Sequence, residues 1–145
     1  MKTKKMAFLL SVMVLTLILT GCGSKKSTKL VCTQSVNGVA VEFNVSFNGN
    51  KISKLDFNYN MDLSSYTDEQ IEAVASQDFC SIVKSSMSEY KDAFTDCKQN
   101  IADKTLKIYS DLDIDKIAKS ELDKMTTPSA AKEELEAQGY TCKEA

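Results

Sequence analysis

Apolar and polar residues alternate along residues 30 to 63, and this period of two is the feature that most constrains the fold. Alternation is typical of strands with one buried face and one face in water. It is interrupted at Val36-Asn37-Gly38-Val39, a strong signal for a hairpin with a two-residue type I′ turn. Such a turn pairs Cys32 with Phe43, so Cys32 points into the core. The apolar face then contains Leu30, Cys32, Val36, Val39, Val41, Phe43, Val45 and Phe47.

A second turn is predicted at Asn48-Gly49-Asn50. A three-residue loop there places Phe43 opposite Leu55, which keeps apolar residues on one side of the sheet. Residues 30 to 63 are therefore predicted to form a three-stranded antiparallel meander with one wet face. That wet face is either a recognition surface or plain solvent-exposed sheet, and it carries Glu42, Asn44, Ser46, Lys54, Asp56, Asn58 and Asn60.

From Thr67 the apolar period becomes that of a helix. Thr67-Asp68-Glu69-Gln70 matches a capping box, in which the first and fourth side chains satisfy each other's backbone N–H groups. We predict one long helix, bent near Ser85-Ser86, that covers the apolar face of the meander. Its stripe consists of Ile71, Val74, Ala75, Phe79, Ile82, Val83, Met87 and Tyr90.

Alternation returns in residues 97–112, where a turn at Asp103-Lys104 pairs Ile101 with Leu106 and predicts a second hairpin. The predicted fold class is therefore α+β: an antiparallel β-sheet, made of the N-terminal meander and the second hairpin, covered by a long helix.

Short C-terminal helices complete this prediction. One helical segment is expected from Ile114 to Met125, and a second is expected to be capped by Ser129 and ended by Gly139. Residues 140–142 then indicate a short strand or an extended arm.

The composition excludes several classes of function. All 18 basic residues of the 145-residue chain are Lys, and there is no Arg, His or Trp. Catalysis by imidazole, His-ligated zinc and bidentate Arg contacts to phosphates or bases are therefore excluded. The Lys residues are scattered among 20 acidic residues, so no basic stripe for nucleic acid exists. With no catalytic motif either, we expect a protein that is not an enzyme and does not bind nucleic acid.

The N-terminus is typical of an exported protein. Lys2, Lys4 and Lys5 precede an uncharged run from Met6 to Leu19, which is shorter than the ~20 residues of a membrane span. Leu19-Thr20-Gly21-Cys22 follows and resembles the lipobox of bacterial lipoproteins. That resemblance implies a diacylglycerol on the sulfur of Cys22 and removal of residues 1–21 as a lipoprotein signal peptide. The alternatives are an ordinary secretory signal with a chance cysteine, or a short anchor helix.

On this reading, residues 22–29 are a flexible tether and residues 30–145 are a single α+β domain. The protein is expected at the cell membrane, lipid-anchored on its extracytoplasmic face, with no cofactor besides the covalent diacylglycerol on Cys22. The mature chain keeps 20 acidic residues against 15 lysines, a net charge of −5. Repulsion from an anionic membrane favours a stalked module over one that lies flat.

The other four cysteines, Cys32, Cys80, Cys97 and Cys142, form an even set, so an exported domain should contain two disulfides. Three connectivities are possible, and spacing alone does not choose among them. We favour Cys80 with Cys97, since Cys97 faces inward just after the helix that bears Cys80, and Cys32 with Cys142, which ties the domain ends. A thiol-disulfide role is the alternative, although no C-x-x-C motif is present.

Asp111, Asp113 and Asp115 resemble the start of a calcium loop, but Lys116 and Leu122 stand where an EF-hand needs Gly and Glu. We therefore interpret the three as solvent-exposed acidic residues at the end of a strand, one of which caps the next helix. The alternative is a Ca²⁺ site that is not an EF-hand.

Three aromatic residues, Tyr66, Phe94 and Tyr109, fit the core faces less well than the others and are candidates to line a binding surface.

The whole chain resembles the YehR-like family of small bacterial lipoproteins. The resemblance rests on the lipobox, on Leu30-Val31-Cys32, on the meander, on the helix with Cys80 and Cys97, and on the ending from Glu136 to Lys143. It implies an α+β fold with an antiparallel sheet and implies no activity, because the family is functionally uncharacterised. The main expectation is a binding module for a protein or another envelope ligand; the alternative is a structural or accessory subunit of a membrane complex.

Overall fold

The computed structural model describes residues 26–145, which form an α+β fold built on one antiparallel sheet, as predicted. Its strands are β1 (Ser27–Val36), β2 (Val39–Asn48), β3 (Lys51–Asp62), β4 (Phe94–Ala102), β5 (Thr105–Leu112) and β6 (Thr141–Glu144). They lie in the order β4-β5-β3-β2-β1-β6, with every neighbouring pair antiparallel. The predicted signal peptide and Cys22 lie outside the described residues.

Four short α-helices accompany the sheet in this part of the chain. They are α1 (Asp68–Ala75), α2 (Phe79–Ser86), α3 (Lys119–Leu122) and α4 (Pro128–Ala137). Two 3₁₀ turns, Ile114–Lys116 and Asp123–Met125, flank α3. No helix of residues 26–145 is long and apolar enough to cross a membrane.

Two hairpins have the predicted register. Cys32 lies opposite Phe43 across the β1–β2 turn, and Ile101 lies opposite Leu106 across the β4–β5 turn. Both residues of each turn have positive φ, as a type I′ turn requires. The values are 52° at Asn37, 79° at Gly38, 50° at Asp103 and 53° at Lys104.

The predicted register of the β2–β3 hairpin is wrong. Asn48 pairs with Lys51, so the loop has two residues, and the register then shifts between Ser46 and Phe47. Phe43 consequently faces Phe57 instead of Leu55. The irregularity acts as a β-bulge and preserves the alternation, so the apolar residues remain on one face.

The predicted long helix is also wrong, because the chain breaks between α1 and α2. Asp78 caps α2: its carboxylate accepts hydrogen bonds from the N–H of Ser81 at 3.1 Å and from its hydroxyl at 2.6 Å. The capping box at Thr67 and Gln70 is present, but α1 contains no buried residue. The helix that packs on β1 and β6 is α4, which buries Ala131 and Leu135.

Three predicted boundaries of helices and strands differ from those of the structure. Residues 114–125 form two 3₁₀ turns around α3 and not one helix, and Thr127 caps α4 in place of Ser129, with Pro128 at the first helical position. Ser27–Lys29, predicted as tether, belong to β1. Gly139 follows α4 with φ 93°, in agreement with the prediction that it ends the helix.

The two disulfides are those favoured from the sequence. Cys32 and Cys142 lie opposite each other on β1 and β6 with Cα atoms 4.0 Å apart, and both are buried. Cys80 and Cys97 join α2 to β4 with Cα atoms 5.9 Å apart, and both are half-buried. One bond thus attaches the last strand to the sheet, and the other attaches α2 to the opposite edge.

The apolar face of the sheet forms the core together with residues from the helices and connecting segments. Its largest fully buried side chains include Phe47, Leu30, Leu63, Leu106 and Ile108. Val36, which was assigned to this face, is 57% exposed because it lies at the turn, beyond the cover of the helices. The opposite face of the sheet is polar, and it carries charged and amide side chains from several strands.

Candidate binding site on the polar face of the sheet

The polar face is the face of the sheet opposite the core, and strand register aligns its side chains in rows. Lys98 on β4 lies opposite Tyr109 on β5, which lies opposite Asn58 on β3, which lies opposite Glu42 on β2. The next row contains Asn100, Lys107, Asn60 and Ala40. Period-two alternation in four strands therefore assembles this surface from residues far apart in sequence.

A depression of about 580 Å³ lies over strands β4, β5 and β3. Its volume falls within the range of about 300–1,000 Å³ that is usual for ligand sites. Its lining supplies hydrogen-bond donors and acceptors together with two ammonium groups and no carboxylate: Asn58, Asn60, Lys98, Gln99, Asn100, Lys107, Ile108 and Tyr109. We call this surface the amide-lysine depression. Its chemistry suits a hydrophilic ligand.

A network of amides and carboxylates lies beside the depression. Asn44 is only 6% exposed, and its Nδ2 donates to Oε1 of Glu42 at 2.8 Å and to Oδ1 of Asp56 at 2.9 Å. Nδ2 of Asn58 lies farther from the same two oxygens, at 3.4 and 3.5 Å. These contacts use one oxygen of each carboxylate internally, so the network orients the β2 and β3 side chains beside the depression.

Tyr109, which lines the depression, is hydrogen-bonded to Asp111. The Tyr109 hydroxyl donates to Oδ1 of Asp111 at 2.8 Å, and Nζ of Lys54 lies 3.3 Å from the same oxygen. The hydrogen bond from Tyr109 and the contact with Lys54 lower the pKa of the Asp111 carboxyl, and the same hydrogen bond raises the pKa of Tyr109. Asp111 is thus held as a carboxylate that orients the Tyr109 side chain in the lining of the depression.

The charge of the depression differs in sign from that of the domain. Lys98 and Lys107 line it, and among the described residues neither forms an ion pair. The nearby carboxylates of Asp56 and Asp111 are contacted by Lys54 instead, and that of Glu42 accepts from the amides of Asn44 and Asn58. A locally positive surface on an acidic domain attracts anionic groups selectively.

The structure does not bring the predicted calcium triad together. Asp111 points to Tyr109 and Lys54, whereas Asp113 caps the 3₁₀ turn by accepting from the N–H of Asp115 at 3.1 Å and pairs with Lys116 at 3.7 Å. Within residues 26–145 no group of three or more His, Cys, Asp or Glu side chains is arranged to hold a metal ion. The capping role expected for one acid of the triad is present at Asp113.

An apolar crevice between the helices and the sheet is a second cavity, lined in part by Tyr90 and Tyr140. Its volume of about 80 Å³ is far below the range of small-molecule sites. Burial together with nearby Glu121 raises the pKa of Tyr90 to about 12, which keeps this hydroxyl protonated and bonded to Glu121. We interpret the crevice as a packing gap of the core.

Sequence reasoning identified part of the site. Asn58 and Asn60, predicted on the wet face, line the depression, and so does Tyr109, a predicted binding-surface residue. Tyr66 packs against the core, and Phe94 is buried in it, so neither belongs to this surface. Lys98, Asn100 and Lys107 were missed, although the alternation of residues 97–112 already places them on one face.

Searches against protein-family models, curated proteins and solved structures find no match to this chain.

Proposed function

We propose that this protein is a lipid-anchored, extracytoplasmic binding module that uses the amide-lysine depression to hold an anionic, hydroxyl-rich envelope ligand. It performs no chemistry on that ligand. The observation that carries the proposal is the lining of the depression, in which amides and two ammonium groups converge without a carboxylate.

The anchor is supported by the N-terminal sequence. A basic start, an uncharged run and Leu19-Thr20-Gly21-Cys22 occur in the order and spacing of a lipoprotein signal peptide. Two acyl chains on Cys22 form a stable membrane anchor, since each buried methylene contributes about 0.8 kcal/mol. The four cysteines paired in two disulfides suit an oxidising compartment outside the cytoplasm.

The ligand class follows from the groups in the depression. Asn side chains donate and accept, so they pair with hydroxyl groups of a saccharide or polyol. The ammonium groups of Lys98 and Lys107 pair with carboxylate or phosphate, and the rest of the acidic domain disfavours nonspecific attachment of anions. An open depression on a sheet admits a segment of a longer polymer as readily as a small molecule.

Binding of model polymers tests this proposal. We would titrate the full mature protein in detergent with polygalacturonate, an anionic polysaccharide, and with dextran, a neutral one, by calorimetry. We expect binding of polygalacturonate that weakens as salt is added, and no binding of dextran. Lys98→Glu together with Lys107→Glu should lower the affinity by at least about tenfold, equivalent to about 1.4 kcal/mol.

The double variant Lys29→Glu, Lys143→Glu is the matched control, because both residues are exposed on the polar face of β1 and β6, at the opposite edge of the sheet. It changes the net charge in the same direction without touching the depression. Equal loss of affinity in this control, or equal binding of dextran and polygalacturonate, would contradict the proposed site.

An alternative role is that of an accessory subunit that stabilises a membrane complex, and a third is an envelope thiol-disulfide protein that uses Cys80 and Cys97. That bond is half-buried, whereas Cys32 and Cys142 are buried. Native thiol counting separates the third role, which requires a free thiol pair under mild reductant.

A further inference from the structure

Lys26, the first described residue, lies at the end of the sheet that carries the turn between β2 and β3. The N–H of Gly49 donates to the carbonyl of Lys26 at 2.9 Å, which fixes Lys26 beside the Gly49-Asn50 turn between β2 and β3. Residue 22 is four residues earlier, and a fully extended chain spans at most about 3.6 Å per residue. The Cα of Cys22 is therefore within about 14 Å of the Cα of Lys26, which lies beside this turn, whatever conformation the intervening residues adopt.

This end of the domain also carries an open groove of about 470 Å³. The groove begins at the Gly49-Asn50 turn and is lined by Asn50, Lys51, Ile52, Ile114, Leu122, Met125 and Thr126. We call it the anchor-end groove. It combines apolar side chains with polar groups at the margin, which is the composition of surfaces that lie at a membrane interface.

Ile114 differs in its packing from the other apolar residues of the groove. It is half-buried, yet it is not among the apolar residues that pack against the core cluster, whereas Ile52 and Leu122 are. The fold therefore does not need the apolar character of Ile114 for its core. Asp113 and Asp115 flank Ile114 in the sequence; Lys116 pairs with Asp113 at 3.7 Å, and Lys51 in the lining of the groove supplies a second positive charge, so the two acids are matched by two lysines.

We propose that the anchor-end groove rests on the headgroup region of the bilayer that holds the lipid of Cys22; this inference rests on the proposed lipid anchor. The groove contacts the boundary between headgroups and acyl chains. The β1–β2 turn at Asn37-Gly38 then lies at the far end of the ten-residue strand β1, about 30 Å from the membrane. Strand β1 begins at Ser27, so the segment between Cys22 and the sheet is too short to form a long stalk. The domain therefore stands on the membrane surface.

The absence of Trp from the chain makes single-tryptophan reporters possible. We would place Asn50→Trp at the exposed turn of the groove, and Val36→Trp at the exposed far end of β1. Each lipidated protein would be reconstituted into vesicles of phosphatidylcholine and phosphatidylglycerol, with part of the phosphatidylcholine brominated on its acyl chains. We expect the bromines to lower the fluorescence of the Asn50→Trp reporter roughly twofold and to leave the Val36→Trp reporter unchanged.

A charge introduced into the groove tests its role directly. Ile114→Glu in the Asn50→Trp background should remove most of the quenching, while flotation shows that the protein stays on the vesicles through its lipid. Val36→Glu in the same background is the matched control and should leave the quenching unchanged. Near-ultraviolet circular dichroism checks that both variants remain folded.

The outcomes separate the two proposals. Suppose that the protein floats with the vesicles, and that either neither reporter is quenched or both are quenched equally. The proposed orientation is then wrong and the lipid anchor stands. If the wild-type protein does not float and its N-terminal peptide carries no lipid, the anchor is wrong and the orientation fails with it.

Discussion

Gln99 joins strand β4 to helix α2: its Oε1 accepts a hydrogen bond of 2.8 Å from the N–H of Phe79, in the first turn of the helix. The same oxygen lies 3.3 Å from the N–H of Cys80, and Nε2 of Gln99 donates to the carbonyl of Gln77 at 2.7 Å. One side chain therefore satisfies backbone groups in the break between α1 and α2 and in the first turn of α2. The interaction holds α2 beside its disulfide partner strand.

We predict that Gln99→Ala lowers the free energy of unfolding by about 1–3 kcal/mol, because it leaves half-buried backbone groups without partners. Urea unfolding followed by circular dichroism measures the change. Gln138→Ala is the control, since the Gln138 amide bonds to the exposed Glu134, and its effect should stay within about 0.5 kcal/mol. Equal effects of the two substitutions would show that Gln99 has no special role.

The two disulfides should differ in their contribution to stability. Cys32 and Cys142 are 110 residues apart, and Cys80 and Cys97 are 17 apart. In the chain-entropy model a 100-residue loop corresponds to about 4.7 kcal/mol and a 15-residue loop to about 3 kcal/mol.

We therefore expect the double variant Cys32→Ala, Cys142→Ala to unfold at a lower urea concentration than Cys80→Ala, Cys97→Ala. Burial of the first pair adds to the difference, because its removal also leaves a cavity in the core. Mass spectrometry confirms that the remaining bond is intact in each variant. A larger loss in the Cys80 and Cys97 variant would contradict this order.

Gly139 has φ 93°, a conformation that side chains other than Gly rarely adopt, and a Cβ there would lie 2.8 Å from Nε2 of Gln34. We predict that Gly139→Ala lowers the free energy of unfolding by about 1–2 kcal/mol. Most of this loss is backbone strain, since the Gln34 amide is at the flexible end of its side chain. Adding Gln34→Ala should therefore restore little, and a full recovery in thermal unfolding would assign the loss to the contact instead.

The pKa of Asp111 should report the presence of its hydrogen bond with Tyr109. The Tyr109 hydroxyl lowers this pKa first and Lys54 contributes next, so Tyr109→Phe should move the pKa back up towards its ordinary value. Because the folded-state pKa is depressed, the stability contributed by this hydrogen bond is complete above the ordinary Asp pKa of about 3.9. It is lost as the pH falls through the lower, folded-state value.

A carbon-13 titration of the Asp111 carboxyl, in the wild-type protein and in Tyr109→Phe, measures this shift. Tyr66→Phe is the control, since Tyr66 packs against the core. An unchanged Asp111 pKa in Tyr109→Phe would show that the hydrogen bond does not determine it.

Local chemistry explains which parts of the fold could be predicted. The residues of the Asn37-Gly38 and Asp103-Lys104 turns determine two registers directly, and the alternating pattern identifies both faces of the sheet. The break before α2 is stabilised by Gln99 as well as by the Asp78 cap, and Gln99 lies more than twenty residues after the end of α1, so helical periodicity alone does not reveal it. The bulge near Ser46 conserves the alternation and is equally hidden from the pattern.

The site was predictable only in part for a related reason. Asn58 and Tyr109 were each identified as surface residues, but they meet because β3 pairs with β5 and not with β4. That order is a long-range property of the sheet and does not follow from either strand alone. Lys98 and Lys107 then acquire their role from their neighbours in the register.

The mass of the N-terminal residue of the membrane-bound protein tests the central claim most directly. We predict that the protein purified from membranes begins at Cys22 and carries a thioether-linked diacylglycerol, and that Cys22→Ala leaves the membrane fraction or keeps its leader uncleaved. A wild-type chain that begins elsewhere, or that begins at Cys22 without lipid, would contradict the account.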